Sequence, residues 1–354
     1  MFRKNKLVFL PIICLLLTLG SCRNTSESQI HEMDSGNDTL TYSNPVFEPV
    51  LADPTVIKVG NEFFAYGTED NWGKEGGYHL VPVIKSPDLV NWEVVGNSMA
   101  KKPNWKERGG IWAPDVTQVG DQFYMYYSFS TWGDPNPGIG LAISEKPEGP
   151  FIDQGPVFTS EEIGVKNSID PFYIEENGKK FLIWGSFHGL FMTELSSDGK
   201  KPKGDKIQLA GNHLEAAYVF KKDGFYYLFG SAGTCCEGAN STYQVLVGRS
   251  KNLSGPYLDQ EGKNMKEEDS GTLVVGRNES DHGYAGPGHN AEIVTDSKGQ
   301  HWLLYHGMSK QKPKLENGTN RRVLLLDKIQ WTDGWPEIKN KEPSLKAKDA
   351  PVFK

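Results

Sequence analysis

Residues 170–185 read DPFYIEENGKKFLIWG. An Asp-Pro pair opens the stretch, an apolar segment follows, and Asn177-Gly178 separates that segment from an aromatic-rich one. Asn-Gly supplies the positive φ angles of a tight hairpin turn, and aromatic residues suit a pleated strand. The stretch therefore predicts a β-hairpin that starts at an acidic residue.

The same plan occurs five times, in segments that begin 45 to 75 residues apart: 53–67, 113–128, 170–185, 215–228 and 290–305. A second motif follows three of the copies, at 86–92, 144–153 and 250–259. This spacing fits a four-stranded sheet with loops of varying length, and radial repetition of such sheets gives a propeller. We predict an all-β fold, a five-bladed β-propeller. A β-sandwich with chance repeats is the alternative, which five turn-matched copies disfavour.

The composition agrees with this fold and excludes one class of partner. The 39 Gly and 21 Pro among 354 residues favour many short strands and turns over long helices. A hydrophobic content of 37% supplies a core and excludes a disordered chain. The net charge is −7 and basic residues form no block, so the chain is a poor binder of phosphate backbones. Nucleic acid is therefore excluded as a partner.

The N-terminal residues are typical of a secretory signal. Cations at positions 3, 4 and 6 precede an apolar run over 7–19, which is too short to span a bilayer as a helix. Leu19-Gly20-Ser21-Cys22 also resembles the bacterial lipoprotein cleavage box, in which the cysteine is lipidated. An ordinary leader with an incidental cysteine is the alternative.

These features predict three segments: a signal peptide over 1–21, a lipidated Cys22 with a polar tether over 22–42, and a single catalytic-size domain over 43–354. A lipid anchor leaves the folded domain in water. We therefore expect an exported, membrane-anchored bacterial lipoprotein on the periplasmic or cell-surface face. Its domain should meet the membrane only through the anchor and be monomeric.

Two cysteines, Cys235 and Cys236, remain in the predicted domain. Adjacent cysteines do not easily satisfy disulfide geometry, so the domain should depend on its core, without a disulfide framework. We expect the two side chains to be small buried hydrophobes; lining a subsite is the alternative.

The repeat also predicts where chemistry occurs. The first strand of each blade lines the central channel, so the starts of the repeats meet at one mouth. Asp53, Asp170 and Glu215 occupy equivalent starting positions, and Asp115 lies slightly further along its repeat. Repulsion and partial desolvation should raise the pKa of at least one of these acids. Acids at strand starts also cap ordinary turns, which is the alternative reading of each one alone.

Paired acids in different protonation states are what glycoside hydrolysis uses. Asp53 and Glu215 belong to blades that are not neighbours, so they should face each other across the funnel. A separation of roughly 6.5–9.5 Å would leave room for a water molecule, as inverting enzymes require.

The chain resembles glycoside hydrolase family 43, five-bladed propellers that act on arabinose- or xylose-containing glycans. The resemblance rests on 52–54 (ADP), 112–115 (WAPD), 167–171 (NSIDP), 215–218 (EAAY), 286–290 (GPGHN), Arg322 and 333–336 (DGWP). Within the family, 185–190 (GSFHGL), 235–243 (CCEGANSTY), 247–250 (VGRS) and 255–257 (GPY) are similar to endo-1,5-α-L-arabinanases.

The resemblance implies roles for four residues. Asp53 matches the general base that activates water, Glu215 the general acid, and Asp170 the carboxylate that tunes and orients that acid. His289 matches a channel histidine that, in arabinanase-like members, binds Ca²⁺ largely together with waters. Two positions depart from the arabinanase pattern: Ala52 stands where histidine is common before the base, and Ala217 where proline is usual. Both should lie at the funnel mouth and affect substrate choice more than reaction type.

Substrate contacts are predicted at five positions near the mouth: Trp112, Asp115, Asn167, Trp72 and Trp132. Trp faces bind the apolar faces of sugar rings, and Trp112, next to the acids, is the best candidate for stacking on a furanose. Loops also bury aromatics to seal blades, which is the alternative for Trp72 and Trp132. Four other tryptophans sit within strand patterns and are predicted core residues: Trp92, Trp184, Trp302 and Trp331.

The sequence thus predicts an inverting hydrolase that cuts α-1,5-linked L-arabinofuranosyl chains of arabinan internally. An exo-acting α-L-arabinofuranosidase or β-xylosidase is the alternative within the same class, and loop bulk decides between them. A non-catalytic glycan-binding lipoprotein is the alternative from another class, since fold does not fix function.

Overall fold

The computed structural model describes residues 40–354. The predicted signal peptide, Cys22 and most of the predicted tether lie outside the described residues. Within 40–354, no helix is both long and apolar enough to cross a bilayer.

Five antiparallel four-stranded sheets follow one another along the chain, and within each sheet the strands are neighbours in sequence order. A short strand, β1 (Thr41–Tyr42), precedes them. Blade 1 consists of β2 (Thr55–Val59), β3 (Glu62–Tyr66), a loop containing the short pair β4 (Asp70–Asn71) and β5 (Tyr78–His79), then β6 (Pro82–Ser86) and β7 (Glu93–Asn97). Blade 2 consists of β8 (Gly110–Val119), β9 (Gln122–Ser130), β10 (Gly138–Ser144) and β11 (Ile152–Thr159), and the one-turn helix α1 (Ser160–Ile163) follows it.

Blade 3 consists of β12 (Phe172–Glu176), β13 (Lys179–Trp184), β14 (Leu190–Glu194) and β15 (Ile207–Ala210). Blade 4 consists of β16 (Glu215–Lys222), β17 (Phe225–Ala232), β18 (Gln244–Ser250) and β19 (Thr272–Val275). Blade 5 consists of β20 (Tyr284–Thr295), β21 (His301–Ser309), β22 (Arg322–Thr332) and β23 (Trp335–Ile338), after which β24 (Lys348–Asp349) pairs with β1. Three short 3₁₀ turns lie at Gly73–Glu75, Gly238–Asn240 and Lys339–Lys341.

The innermost strands contact one another in a closed cycle, from β2 to β8, β12, β16 and β20 and back to β2. The prediction of a five-bladed β-propeller is therefore confirmed. Each blade packs between two neighbours, so both faces of its sheet are covered. Strand β9 is accordingly buried from Phe123 to Ser130 without the polar alternation of a half-exposed strand. Trp184 and Trp302 are core residues, as predicted.

The folded unit begins at Leu40, slightly earlier than the predicted boundary at residue 43. Thr41 and Tyr42, assigned to the tether, pair with β24, and Tyr42 is buried with its hydroxyl donating to the carbonyl of Leu326. The segment that follows runs along β22, where the Leu51 N–H donates to the Arg322 carbonyl. This segment ties the first described residues to blade 5, whereas no strand is exchanged between the first and last blades to close the ring.

The chain enters the propeller at the end opposite the mouth, where the mouth is the end of the channel at which β2, β12 and β16 begin. The carbonyl of Leu40 accepts from the Ala350 N–H, and Ser297 exchanges contacts with Val352 and Lys354. Ser297 lies in the turn after β20, and β20 carries His289 near its other end. The first described residue, Leu40, therefore lies on the face of the propeller away from the mouth.

A polar layer midway down the channel joins all five blades. Glu292 of blade 5 accepts from the Thr55 hydroxyl at 2.8 Å and the Val56 N–H at 2.6 Å, both in blade 1. It also shares a hydrogen bond with Asp115 of blade 2. Asp115 and Tyr218 extend the layer to blades 3 and 4: Asp115 accepts from the Tyr173 N–H at 2.7 Å, and the Tyr218 hydroxyl accepts from the Ile293 N–H at 2.9 Å.

This layer corrects one prediction. Asp115 lies two residues beyond Ala113 in its strand, roughly 7 Å deeper in the channel than the mouth, and it is 5% exposed. The prediction that it binds substrate is wrong because its carboxyl group is occupied in joining blades. In this copy of the repeat the acidic residue, Asp115, stands two residues after the starting position that Asp53 and Asp170 occupy in theirs.

The carboxyl pair makes stability depend on pH. Burial raises the pKa of Asp115 well above its usual range and also raises that of Glu292. The hydrogen-bonded Asp115–Glu292 pair therefore contributes fully to the free energy of unfolding at acidic pH. That contribution is lost as pH rises through the folded-state pKa values. Asp115→Asn keeps a neutral donor and acceptor in place, so its melting temperature should fall less than that of the wild type toward alkaline pH.

Thermal unfolding followed by circular dichroism across a pH series measures this difference. Glu175→Gln, at a carboxylate that is half exposed on β12, is the matched control and should keep the wild-type pH dependence. An unchanged pH dependence in Asp115→Asn would contradict a proton-sharing pair.

Candidate active site

The structure brings Asp53, Asp170 and Glu215 together at the mouth, as the repeat predicts. They come from blades 1, 3 and 4; the charges of Glu215 and Asp53 raise the pKa of Asp170, and the charge of Asp53 raises that of Glu215. Asp170 is 7% exposed and the Asp53 side chain 14%. Three carboxyl groups from three blades thus line one pit that remains open to solvent.

A shared backbone conformation aims the side chains at this mouth. Within each inner strand or just before it, one non-glycine residue has a positive φ, between 29° and 59°: Asp53, Ala113, Asp170, Ala216 and His289. Such conformations cost of order 1–3 kcal/mol each and persist where the surrounding structure fixes them. The repeat in sequence therefore corresponds to a repeated strained turn around the channel.

Asp53 is surrounded by groups that favour its ionised form. Arg322 donates to both carboxylate oxygens at 3.2 and 3.0 Å, and the Thr68 hydroxyl donates at 2.6 Å. Burial alone would raise the pKa of Asp53, but Arg322 and these neighbours outweigh it and hold the pKa well below its usual range. Asp53 is therefore a carboxylate at any working pH and can accept a proton.

Glu215 has a different environment. Burial raises its pKa, and the charge of Asp53 adds to this, whereas the Ser186 and Tyr243 hydroxyls oppose it by donating to Oε2 and Oε1, each at 2.6 Å. The group therefore holds a proton more readily than an exposed glutamate, yet two donors stand ready to stabilise the anion once the proton has left.

Asp170 lies close enough to the other two acids for their charges to act on it. Its own N–H donates to the Ser128 hydroxyl at 2.8 Å, and its carboxyl group accepts from the Ala216 N–H. Burial raises the pKa of Asp170 well above its usual range, and the charges of Glu215 and Asp53 add to this. Since the charge of Glu215 disfavours ionisation of Asp170, the pair holds a proton to higher pH than two isolated carboxyl groups would.

Several residues of this site were not assigned by sequence reasoning: Thr68, Ser186, Tyr243 and His306, with Arg322 recognised only as part of a motif. They lie on loops or on second and third strands, outside the starting positions that the repeat identifies. The sequence indicates Ser186 and Tyr243 only weakly, because they belong to two of the segments that resemble arabinanases. Their contacts depend on how the blades pack against one another, and a repeat in the sequence gives no information about that packing.

His289 lies beside Asp53, with 3.7 Å between its Nδ1 and Oδ1 of Asp53. Burial lowers the pKa of His289, so its imidazole is neutral and can offer a lone pair. Nearby, Oδ1 of Asn290 is buried with no hydrogen-bond partner among the described residues. A neutral imidazole and an unsatisfied amide oxygen fit a hydrated cation, although residues 40–354 contain no cluster of three or more metal-ligating side chains.

The aromatic predictions divide. Trp132 is 81% exposed, and its ring lies 5.7 Å from that of the partly exposed Trp112, so both can meet a sugar ring. Trp72 is 2% exposed and packs against Phe47 and His79. The prediction that Trp72 binds substrate is wrong because its loop folds inward and buries the ring.

Three other predicted positions near the mouth are occupied in packing. The Asn167 side chain donates to the carbonyl of Ser186 at 3.1 Å, so it supports the loop that carries a Glu215 donor; its contact with substrate stays a prediction. Ala52 and Ala217 are buried. Their methyl groups are covered by neighbouring protein atoms, and the effect of these two departures on substrate choice stays a prediction.

The cysteine prediction is also wrong. Cys235 and Cys236 form a disulfide and are partly exposed, in the loop between β17 and β18. The bond joins adjacent residues, so it closes no long loop and restricts the unfolded chain little. The domain still depends on its core for stability.

Comparisons with known proteins fit this site. The family model of glycosyl hydrolases family 43 matches residues 42–336. The chain belongs to glycoside hydrolase family 43. It is a glycoside hydrolase, and the alternative of a non-catalytic glycan-binding protein is thereby set aside.

Family 43 relatives of both modes of action are similar to the chain. An extracellular endo-α-(1→5)-L-arabinanase of Bacillus subtilis is 34% identical over 301 residues, covering 81% of this chain and 87% of that protein. An extracellular exo-α-(1→5)-L-arabinofuranosidase of Cellvibrio japonicus is 29% identical over 321 residues, covering 82% and 86%. The solved α-L-arabinanase of Cellvibrio cellulosa with arabinohexaose superposes with a TM-score of 0.71 at 28% identity, covering 83% and 97%.

The hydrogen bond from Tyr243 to Glu215 generates a pH prediction for this family 43 enzyme. Tyr243→Phe removes a donor that stabilises the Glu215 carboxylate, so the pKa of Glu215 should rise. The alkaline limb of the kcat/KM profile should move to higher pH. We expect kcat to fall about tenfold to hundredfold, because a hydrogen bond to a charged group contributes about 1.5–3 kcal/mol.

Tyr305→Phe is the matched control, since it also removes a buried phenol that donates to a carboxylate, Asp327, at 2.6 Å. Its pH profile should remain that of the wild type. Coincident profiles for Tyr243→Phe and the wild type would show that this bond does not set the ionisation of Glu215.

Proposed function

We propose that the protein is an inverting endo-1,5-α-L-arabinanase, which hydrolyses internal α-1,5 linkages of arabinan. The observation that carries this proposal is the unequal environment of the acids. Arg322 keeps Asp53 ionised, whereas burial and like charge favour a proton on the Glu215 and Asp170 pair. The similarity to arabinanases supports arabinan as the substrate.

In this proposal Asp53 is the general base, Glu215 the general acid and Asp170 the residue that tunes and orients the acid. Asp53 takes a proton from water as the water oxygen attacks the anomeric carbon. The bond from that carbon to the glycosidic oxygen breaks, and the leaving oxygen takes the proton of Glu215. Ser186 and Tyr243 then donate to the new Glu215 carboxylate, so the hydrogen bonds strengthen as charge develops.

Substitution of the two acids tests these roles. Asp53→Asn and Glu215→Gln should each lower kcat by at least about 10²–10⁴-fold on arabinan, with the fold and ligand binding retained. On an aryl arabinofuranoside with an activated leaving group, Glu215→Gln should recover much of its rate, because little protonation is needed, whereas Asp53→Asn should not. Equal recovery of both variants would contradict the assignment, and Glu175→Gln serves as the exposed control.

Product analysis tests the reaction itself. NMR of the first products should show inverted anomeric configuration, and initial retention would overturn the inverting mechanism. On linear arabinan, an endo enzyme releases mixed oligosaccharides from the start. An exo enzyme, the second candidate that the Cellvibrio japonicus relative supports, releases one short product from chain ends. Debranched and branched arabinan and an aryl xyloside complete the set.

We also propose that His289 helps to hold Ca²⁺ in the central channel, with waters as most of its ligands. A bound cation would supply positive charge near the acids and stabilise the mouth. Chelation should lower the melting temperature and the activity of the wild type, and Ca²⁺ should restore both better than Mg²⁺ does. His289→Gln should show a weaker response, and a wild-type melting temperature that is insensitive to chelator would contradict the proposal.

We propose further that the enzyme is exported and anchored through lipidated Cys22. The basic and apolar N-terminal pattern supports this, and the relatives named as extracellular support export. Because the chain enters the propeller opposite the mouth, an anchored enzyme could present the mouth to a polymer. Cys22→Ser should be recovered from the soluble fraction without incorporated lipid label; continued membrane recovery of active Cys22→Ser would contradict the anchor.

A further inference from the structure

His306 is completely buried in β21 and contacts both sides of the catalytic pit. Its Nδ1 accepts the backbone N–H of Asp53 at 3.1 Å. Its ring stacks on that of Tyr243, with 5.9 Å between the ring centroids and 18° between the planes. Tyr243 in turn donates its hydroxyl to Oε1 of Glu215 at 2.6 Å. One imidazole therefore connects the proposed base with the donor that holds the proposed acid.

The protonation state of His306 follows from these contacts. Because Nδ1 accepts the Asp53 N–H, it carries no proton, so the ring is neutral and its proton is on Nε2. No described group forms a hydrogen bond with that Nε2. His306 thus offers the Asp53 N–H a hydrogen-bond acceptor.

The hydrogen bond to Nδ1 of His306 stabilises an unfavourable backbone conformation at Asp53. Asp53 has a positive φ of 51°, which is unfavourable for a residue with a β-carbon. The Asp53 N–H would be a buried donor without a partner if His306 were absent. The imidazole therefore stabilises the conformation that directs the Asp53 carboxylate toward Arg322 and the pit.

We propose that His306 is a positioning residue that fixes the separation between Asp53 and Glu215 through its hydrogen bond to the Asp53 N–H and its stacking on Tyr243. The inference rests on the proposed roles of these two acids. An inverting mechanism needs a fixed gap for one water molecule between base and acid. Displacement by about 1 Å can cost on the order of 10²-fold in rate.

Two substitutions separate the two contacts. His306→Asn keeps an acceptor near the position of Nδ1 but removes the ring, and His306→Phe keeps a stacking ring but removes the acceptor. We expect His306→Phe to lower kcat on the order of 10²-fold with KM changed less than about threefold, and His306→Asn to recover at least about tenfold of that loss. The limbs of the pH profile should stay in place, because Arg322 and Thr68 still set the ionisation of Asp53.

Activity on the aryl arabinofuranoside distinguishes poor positioning of the base Asp53 from weakened proton donation by Glu215. Positioning of the base is needed whatever the leaving group, so the His306→Phe defect should persist on that substrate. The Tyr243→Phe defect should shrink there. Recovery of His306→Phe on the activated substrate would overturn the link to Asp53.

His301 provides a matched control on the same strand. Its Nδ1 also accepts an N–H, that of the Trp331 indole at 2.9 Å, but it lies at the end of β21 away from the mouth. His301→Phe and His301→Asn should leave kcat unchanged. Melting temperatures of all four variants are measured alongside. Loss of activity in His306→Phe and His306→Asn to the same extent, in proportion to lost stability, would overturn the proposal.

The proposed function can fail separately. If wild-type products retain configuration, or if Asp53→Asn keeps wild-type turnover, then the roles of the acids are wrong. If those results hold as expected while His306→Phe keeps wild-type kcat, then only the positioning role is wrong.

Discussion

Three carboxyl groups repel one another at the mouth of the propeller, Asp170 buried and Asp53 and Glu215 partly buried, and the packing of five blades holds them there. No single blade could do so, because Asp53, Asp170 and Glu215 arrive from three different sheets. The contacts that close the ring offset this repulsion. They are the aromatic cores between blades, the segment that runs along β22 and the polar layer at Glu292. A closed ring converts three separate strand starts into one site.

The hydrogen-bond donors around the pit give three chemically similar carboxyl groups different proton affinities. Asp53 accepts hydrogen bonds from a guanidinium and stays ionised, whereas the hydrogen bonds to Glu215 come from neutral hydroxyls and that to Asp170 from a backbone N–H. The charge of Arg322 also reaches Glu215, but without a hydrogen bond. A neutral donor stabilises an anion less than a cation does, so the acids differ in proton affinity although they share one pit. The chemistry proposed for this family 43 enzyme therefore depends on which partner each acid meets, more than on the acids themselves.

The same distinction explains which sequence-based predictions succeeded. The inner strand starts repeat in sequence, so the fold and the convergence of three acids could be predicted from turns and aromatic runs. Trp72 and Asp115 failed because a repeat locates a residue along the chain without showing which way a loop folds or how deep a side chain lies. His306 and Tyr243 were missed because each matters only through a contact with a different segment.

The sequence by itself determined five hairpin units, the acidic starting residues of three of them and membership of a hydrolase family, because hairpin turns and strand patterns are local properties of the chain. Only the tertiary structure decided the ionisation of each acid, the burial of Trp72 and the role of Asp115 in joining blades. Those properties arise from charges and packing between residues as far apart as Asp53 and Arg322, which meet only when blade 5 closes against blade 1.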